Sequence, residues 1–324
     1  MTIQPSYQPV DATNPAHIDA IATLWNAACG PTLAISSRAV RYNLQPVTGG
    51  TVVGRLAYHD QTPVGVILAS TLHHPPPGMS SDVGWIDALA VAPSAQRQGI
   101  GSALLSWTEQ WLLDQDCRQV ILGASQRPFA PGLPAEVNQL HFFNRHGFSS
   151  DHDAWDVATN LAGYTTPATV RAIDGRVRPA QRGEEAALLE FLAREFPGRW
   201  RFELEEALRN GVARFSDYML LWTERGVDGF CQLTFEDSQR PLERFFPYDL
   251  PRPWGQLGSV GVSADRRGRG YGAAVVDAGL RRLHNNGVNG CVIDWTGIVD
   301  FYAKFGFQLY RQYHMLAKSL GATA

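Results

Sequence analysis

The sequence predicts an α/β protein of two similar halves, each a mixed, mostly antiparallel sheet flanked by helices, and three observations carry that expectation. First, "VAPSAQRQGIGSALLSWTEQWL" (residues 91–112) and "VSADRRGRGYGAAVVDAGLRRL" (residues 262–283) share one layout, in which an apolar run leads through a polar loop with glycines into a helix. Aligning Val91 with Val262 superposes Gln96 on Arg267, Gly99 on Gly270 and Gly101 on Gly272. Second, "FFNRHGF" (142–148) is answered by "FYAKFGF" (301–307), at a spacing that gives the first half the longer loop. Third, 324 residues is long for one compact domain and natural for two of about 150. Duplication organises the chain.

Each half opens with a short strand, a turn and an amphipathic helix, in "YQPVDATNPAHIDAIATLWNAA" and again in "VRPAQRGEEAALLEFLAREF". A second helix follows in "SSRAVRYNL" and in "WRFELEEALRNG". Next come two apolar segments joined by a turn, "TVVGRLAYHDQTPVGVILAS" and "DYMLLWTERGVDGFCQLTFE", with turn residues Gln-Thr-Pro and Arg-Gly, so antiparallel hairpins are expected. A further strand enters each glycine loop. The loop helices carry apolar stripes, Ile100, Leu104, Trp107 and Trp111 in one and Ala273, Val276, Leu280 and Leu283 in the other, which anchor them to a core. Then "RQVILGA" and "GCVIDWT" read as buried strands, each followed by a short helix and a last β segment. The linker is "NLAGYTTPATVRAIDG" (160–175), which divides the chain into residues 1–163 and 164–324.

A formal charge of -3 and a hydrophobic content of 44% lack the basic excess of a nucleic-acid binder. No apolar run reaches the roughly 20 residues of a membrane span, and the first residues lack a signal-peptide layout, so a cytoplasmic protein is expected. Cys29, Cys117, Cys231 and Cys291 are scattered and read as small buried apolar residues without disulfides. Adjacent histidines in "LHHPPPGM" have no Asp, Glu or His at ligand spacing, so no metal is expected. The proline-rich insertions 128–139 and 240–254 read as packed loops, with the wall of an acceptor pocket as their functional alternative.

A loop whose backbone N–H groups converge at a helix start is an anion site, because those donors lack intrahelical partners and the helix dipole adds positive potential. Gln96, Arg97, Arg267 and Arg269 add side-chain donors, with arginine suited to phosphate through its planar fork. A helix-start turn that merely needs glycine is the plain alternative, weakened by the repetition. A Rossmann site is another, since "GRGYGAA" contains GxGxxA. Against it, polar "SADRR" intervenes after the strand, and the hairpins before it are not βαβ.

"LAVAPSAQRQGIG" resembles the acyl-CoA pyrophosphate motif of the GNAT superfamily of N-acetyltransferases, a strand ending in valine followed by Q/R-x-x-G-x-G/A, and "VGVSADRRGRGYG" is similar to it. The closing "HGF" and "FGF" and the element order extend the likeness over almost the whole chain, giving a tandem two-domain form. The resemblance implies acetyl-CoA as cofactor. Its pyrophosphate would lie on Gln96, Arg97, Gln98, Gly99, Ile100, Gly101 and Ser102, or on Arg267, Gly268, Arg269, Gly270, Tyr271, Gly272 and Ala273. Its pantetheine arm would pair with Leu89, Ala90 and Val91, or with Val260, Gly261 and Val262. The partner would be a small-molecule or terminal amine, without nucleic acid or membrane, and the chain a monomer or homodimer.

Acetyl transfer needs a neutral amine, donors for the developing oxyanion and a proton for the departing thiolate. The resemblance implies a tyrosine donor four residues before the closing glycine, which is Tyr302; its first-half equivalent is Phe143, so the alternative is that both rings only pack. It also implies a carboxylate base on the strand before the loop. Asp87 in "WIDALAV" fits the first half, on the face of Leu89, whereas Gly258 is its counterpart and Asp294 the substitute in the second. Each half lacks one group, so a single active half is expected, with transfer assigned to the second through Tyr302. The non-enzyme alternative is an acyl-CoA-binding or scaffold protein.

Overall fold

The computed structural model describes residues 4–211, 214–242 and 249–321. The first half runs β1 (Ser6–Pro9), α1 (Pro15–Cys29), α2 (Ser37–Asn43), β2 (Gly50–His59), β3 (Thr62–Leu72), β4 (Val83–Val91), α3 (Ile100–Asp114), β5 (Gln119–Leu122), β6 (Leu133–Pro134), α4 (Leu140–Arg145) and β7 (Ser149–Asn160). The second repeats it with β8 (Arg176–Pro179), α5 (Glu185–Glu195), α6 (Arg199–Arg209), β9 (Tyr218–Thr223), β10 (Gly226–Phe235), β11 (Trp254–Val262), α7 (Tyr271–Asn285), β12 (Gly290–Thr296), α8 (Val299–Ala303) and β13 (Gln308–Ser319).

Local chemistry sets the boundaries. Asn14 caps α1, its side chain accepting from Ala16 N at 3.0 Å, and Pro15 starts the helix where a missing N–H costs nothing. Ser36 caps α2 through Ala39 N at 3.2 Å. The first hairpin turns on Asp60 and Gln61, both at positive φ, and Thr62 and Pro63 already belong to β3; the expected Gln-Thr-Pro turn is therefore shifted, because two left-handed residues match the strand twist. The second turns on Glu224 and Arg225, with Gly226 (φ 102°) already in β10 opposite Thr223, so the expected Arg-Gly turn is shifted by one residue too. Along α3 the buried face is Ile100, Leu104, Leu105, Thr108 and Leu112, while Trp107 and Trp111 are half-buried, Trp107 carrying the Arg55 guanidinium 4.3 Å from its ring. Cys117, Cys231 and Cys291 are buried, but Cys29 is only half-buried.

All strands join one sheet, ordered β1-β2-β3-β4-β5-β13-β7-β12-β11-β10-β9-β8, with β6 beside β13. The last strand of each half crosses to the other half. β13 pairs β5, with Ala317 opposite Ile121, and β7 pairs β12, with Gly290 opposite Asn160; β7 and β13 then pair each other. Packing follows the exchange. Tyr313 and Met315 of β13 lie in the core under α1, Leu316 in the core under α3, and Val157 of β7 in the core under α7.

The two parallel pairs part midway. β4 pairs β5 only over Val83–Ile86, and β11 pairs β12 only over Trp254–Gln256, so the later residues of β4 and β11 leave a split in the sheet at each glycine loop.

Candidate active site

The first split opens into a cavity of 520 Å³ lined by β4 residues 86–91, the glycine loop, α4 and residues 130–134. The loop explains its glycines. Gly99 is the N-cap of α3 at φ 83°, and a Cβ added there meets nothing within 4 Å, so backbone conformation and not space demands glycine. Arg97 also has positive φ, 63°, as does its counterpart Gly268, 73°. The cap makes no side-chain hydrogen bond, so the first N–H groups of α3 are left for an anion. Gln96 Nε2 donates to Val91 O at 3.1 Å, tying loop to strand, and the Ser102 hydroxyl meets His146 Nε2 at 3.0 Å.

Among the first-half residues expected at this site, Leu89, Ala90, Val91, Gln96, Arg97, Gly99, Ile100, Gly101, Ser102 and Asp87 line the cavity; Gln98 turns to Ser94 O, at 3.4 Å, and is off the wall. Phe143 is on it. Sequence reasoning missed Trp25 and Cys29 at the end of α1. The insertion 128–139, read as a packed loop with a pocket wall as its alternative, is both: Phe129 and Ala130 are buried, and Ala130, Gly132, Leu133 and Pro134 line the cavity.

Asp87 sits at a β-bulge. Ala88 is opposite Leu68 and Ile86 opposite Ala69, so Asp87 is the extra residue, and strict alternation with Leu89 fails there. Its side chain is 7% exposed. Burial pushes its carboxyl up to about 7, with the Ser125 and Ser70 hydroxyls beside it pulling the other way. Oδ1 is buried and accepts no hydrogen bond among the described residues. A carboxyl so poised holds a proton or gives it up near neutrality. Cys29, by contrast, is pushed up to about 12 by burial, so the cavity's thiol stays protonated.

The second split is built differently. Gly270 caps α7 at φ 92°, as Gly99 caps α3, but a Cβ there would lie 3.8 Å from Ile173 and 3.9 Å from Arg171 of the linker. Linker residues Tyr164, Val170 and Ile173 pack on the same core as Val260, Val262, Ala273 and Phe301. Gly261 abuts Phe196, which would stand 2.6 Å from a Cβ; the Arg267 guanidinium lies 5.9 Å from the same ring. The Tyr271 hydroxyl donates to Asp174 O at 3.3 Å. Tyr302 is 5% exposed, among Phe301, Phe305 and Phe307, and burial raises its phenol well above the usual range. Asp294 is half-buried, and its Oδ1 accepts from Gln256 Nε2 at 2.7 Å.

The profile described as the Acetyltransferase (GNAT) family matches residues 18–148 and again 186–307, one match in each half. The mycothiol acetyltransferase of Sanguibacter keddieii is 30% identical over 253 residues, 73% of this chain and 75% of that protein. That of Geodermatophilus obscurus is 29% identical over 238 residues, 68% of this chain and 69% of that protein. Among solved structures, the GCN5-related glucosamine N-acetyltransferase region of a fungal multi-domain GH3 β-N-acetylglucosaminidase superposes with a TM-score of 0.84 at 22% identity, over 97% of this chain and 38% of that one. With two family matches, a split strand pair at each and a helix capped by glycine at both, the chain belongs to the GNAT family of acetyltransferases, in a tandem form.

Proposed function

We propose that the chain is an acetyl-CoA-dependent N-acetyltransferase that works from its first half, with Asp87 as general base and a hydroxylated small-molecule amine of the amino-sugar class as acceptor. One observation carries the reading: a single 520 Å³ cavity joins the open glycine loop, the split after Ile86 and the Asp87 carboxyl. The pyrophosphate would rest on the first N–H groups of α3, the arm along Leu89–Val91, and the thioester beside the bulge, where the extra residue leaves the ladder incomplete. The acceptor class comes from the relatives, named for mycothiol and glucosamine acetylation.

Asp87 takes a proton from the acceptor's ammonium. The neutral nitrogen attacks the thioester carbonyl, the C–N bond forms as the C–S bond breaks, and the second nitrogen proton goes to the departing thiolate. Direct attack is favoured over an acyl-enzyme because the thiol in the cavity, Cys29, is held protonated. Since burial raises Asp87, turnover should climb with pH through about 7. Calorimetry with acetyl-CoA should give binding that Gly99→Glu abolishes and Gly270→Glu preserves. With glucosamine among a panel of amines, Asp87→Asn should lower thiol release by roughly 10²-fold or more. CoA binding untouched by Gly99→Glu would sink the first-half assignment.

A second reading keeps transfer in the second half with Tyr302 as proton donor and Asp294 as base. It is favoured by Asp294 lying near enough for its charge to act on the Tyr302 phenol. Tyr302→Phe then lowers turnover at unchanged CoA affinity, whereas the first-half reading expects almost no change.

A further inference from the structure

Among the described residues, three buried side-chain oxygens that accept no hydrogen bond belong to residues around one small chamber: Asn43 Oδ1, Asp87 Oδ1 and Gln126 Oε1. The chamber holds about 20 Å³, enough for one water. Asn43 cannot be turned around to satisfy itself, because its Nδ2 donates to Pro128 O at 2.7 Å and a flipped amide would set oxygen against oxygen. Asn43 Oδ1 is thus fixed as an acceptor, Gln126 Oε1 as placed is another, and Asp87 Oδ1 accepts when ionised; with the Ser70 and Ser125 hydroxyls beside Asp87 on the same wall, a water in the chamber would complete the bonds that the three atoms lack.

Position gives the chamber a direction. Among the described residues, Asp87 alone lines both the 520 Å³ cavity and the chamber. On its other side the chamber shares Gln45, Val47, Gln126 and Arg127 with a cleft of 800 Å³, whose far wall is α6 of the second half with Glu203 and Glu206. Arg127 stands at the mouth, stacked 4.7 Å from the Tyr42 ring and donating to Gln45 O at 3.1 Å.

We infer that the chamber is the proton exit of Asp87: one water in it carries the proton taken from the acceptor out to the cleft between the halves, without passing the cofactor. The inference rests on Asp87 acting as base. An acceptor that enters as an ammonium and leaves as an amide gives up two protons; one ends on the CoA thiol, and the other must reach solvent. When Asp87 is protonated it donates to the water, which donates in turn to Asn43 Oδ1 and Gln126 Oε1, so every group is satisfied. When the proton moves on, a hydronium offers three donors to the three acceptors, Asp87 Oδ1, Asn43 Oδ1 and Gln126 Oε1. The carboxylates of Glu203 and Glu206 lie in the direction of release.

The test needs no acceptor. In the full chain saturated with CoA, the protonated-carboxyl infrared band of Asp87, identified by its loss in Asp87→Asn, is followed after transfer to D₂O at low pD. Exchange should be fast in the wild type and at least tenfold slower in Gln126→Met and in Val52→Ile, two independent ways of filling the chamber. A crystal structure of the wild type should hold a water bonded to Asp87, Asn43 and Gln126. A dry chamber, or exchange unchanged in both variants, overturns the exit. Failure of Asp87 as base is read separately, as full turnover in Asp87→Asn.

Discussion

Two aspartates show how opposite surroundings give one side chain opposite ionisation. Asp87 is buried with an unpaired oxygen and titrates near 7; Asp228 is equally hidden, and though burial pushes its carboxyl up, hydrogen bonds from Arg225, Thr223 and Ser263 outweigh this and leave it at about 2. Their effects on stability therefore run in opposite directions with pH. The folded pKa of Asp87 is raised above 3.8, so its contribution is intact below about pH 4 and lost as pH rises through 7. Asp228 contributes above about pH 4, and that is lost as pH falls through 2. Replacing Asp87 by Asn removes a group that is hard to ionise in place. Thermal melts should give Asp87→Asn little Tm difference from the wild type at pH 4, a gain that grows between pH 4 and 7, and the largest gain at pH 8, while turnover is lost. An unchanged difference between pH 4 and pH 8 would mean that Asp87 is ionised throughout. The sequence marked Asp87 through the motif beside it, but not its pKa, which depends on Ser70, Ser125 and a bulge that no period-two pattern announces.

The two glycine loops differ as elements more than as sequences. Both have positive φ at the same two positions, Arg97 and Gly99 in one, Gly268 and Gly270 in the other, so the shared cap was legible from Gly99 and Gly270, while the left-handed Arg97 was not. What lies over them was not. The first faces a cavity, and the second is packed by its linker and braced by ions: Arg225 bonds Asp228 at 2.7 Å and Asp265 at 2.7 Å, and Arg266 bonds Glu224 at 2.9 Å. Asp228 joins the β9–β10 turn to the start of the second loop through Ser263 Oγ, 2.7 Å. Asp228 is buried while Arg225 is largely exposed, so Asp228→Ala chiefly removes the acceptor of the Ser263 and Thr223 hydroxyls and should destabilise the protein by about 1–2 kcal/mol. Denaturant melts measure that loss. The same variant should leave CoA affinity unchanged, since the affected loop is not the one proposed to bind; a large fall in affinity would count for a working second site. The linker's role had little signal, because Tyr164, Val170 and Ile173 are isolated apolar residues among threonines, alanines and one proline.

At the scale of the whole molecule, the duplication is plain in the sequence and the strand exchange is not. "SSDHDAWDVATN" and "QLYRQYHMLAKS" satisfy the edge of either sheet equally well, and no local pattern says which. The structure answers with specific ties. Arg311 of β13 bonds Thr32 O at 2.7 Å and Glu136 at 3.1 Å, and Lys318 bonds Glu109 at 2.7 Å, all in the first half. The Tyr313 hydroxyl donates to Asp156 of β7 at 2.6 Å in the buried centre. Strand β13 thus covers the back of the cavity, where a Cβ on Gly132 would come within 2.7 Å of His314 O. A chain cut at 163/164 gives two pieces, each missing the strand that closes its own sheet and each exposing a long unpaired edge. Expressed alone, residues 1–163 and residues 164–324 should be insoluble or lack near-UV circular dichroism. Expressed together, they should associate through β5–β13 and β7–β12 and recover CoA binding, because backbone pairing and buried apolar area across the exchange do not require a continuous chain. The outcome against this is a 1–163 fragment that alone gives a cooperative melt and binds CoA, which would mean that β7 can return to β5 and that the exchange contributes little to the site.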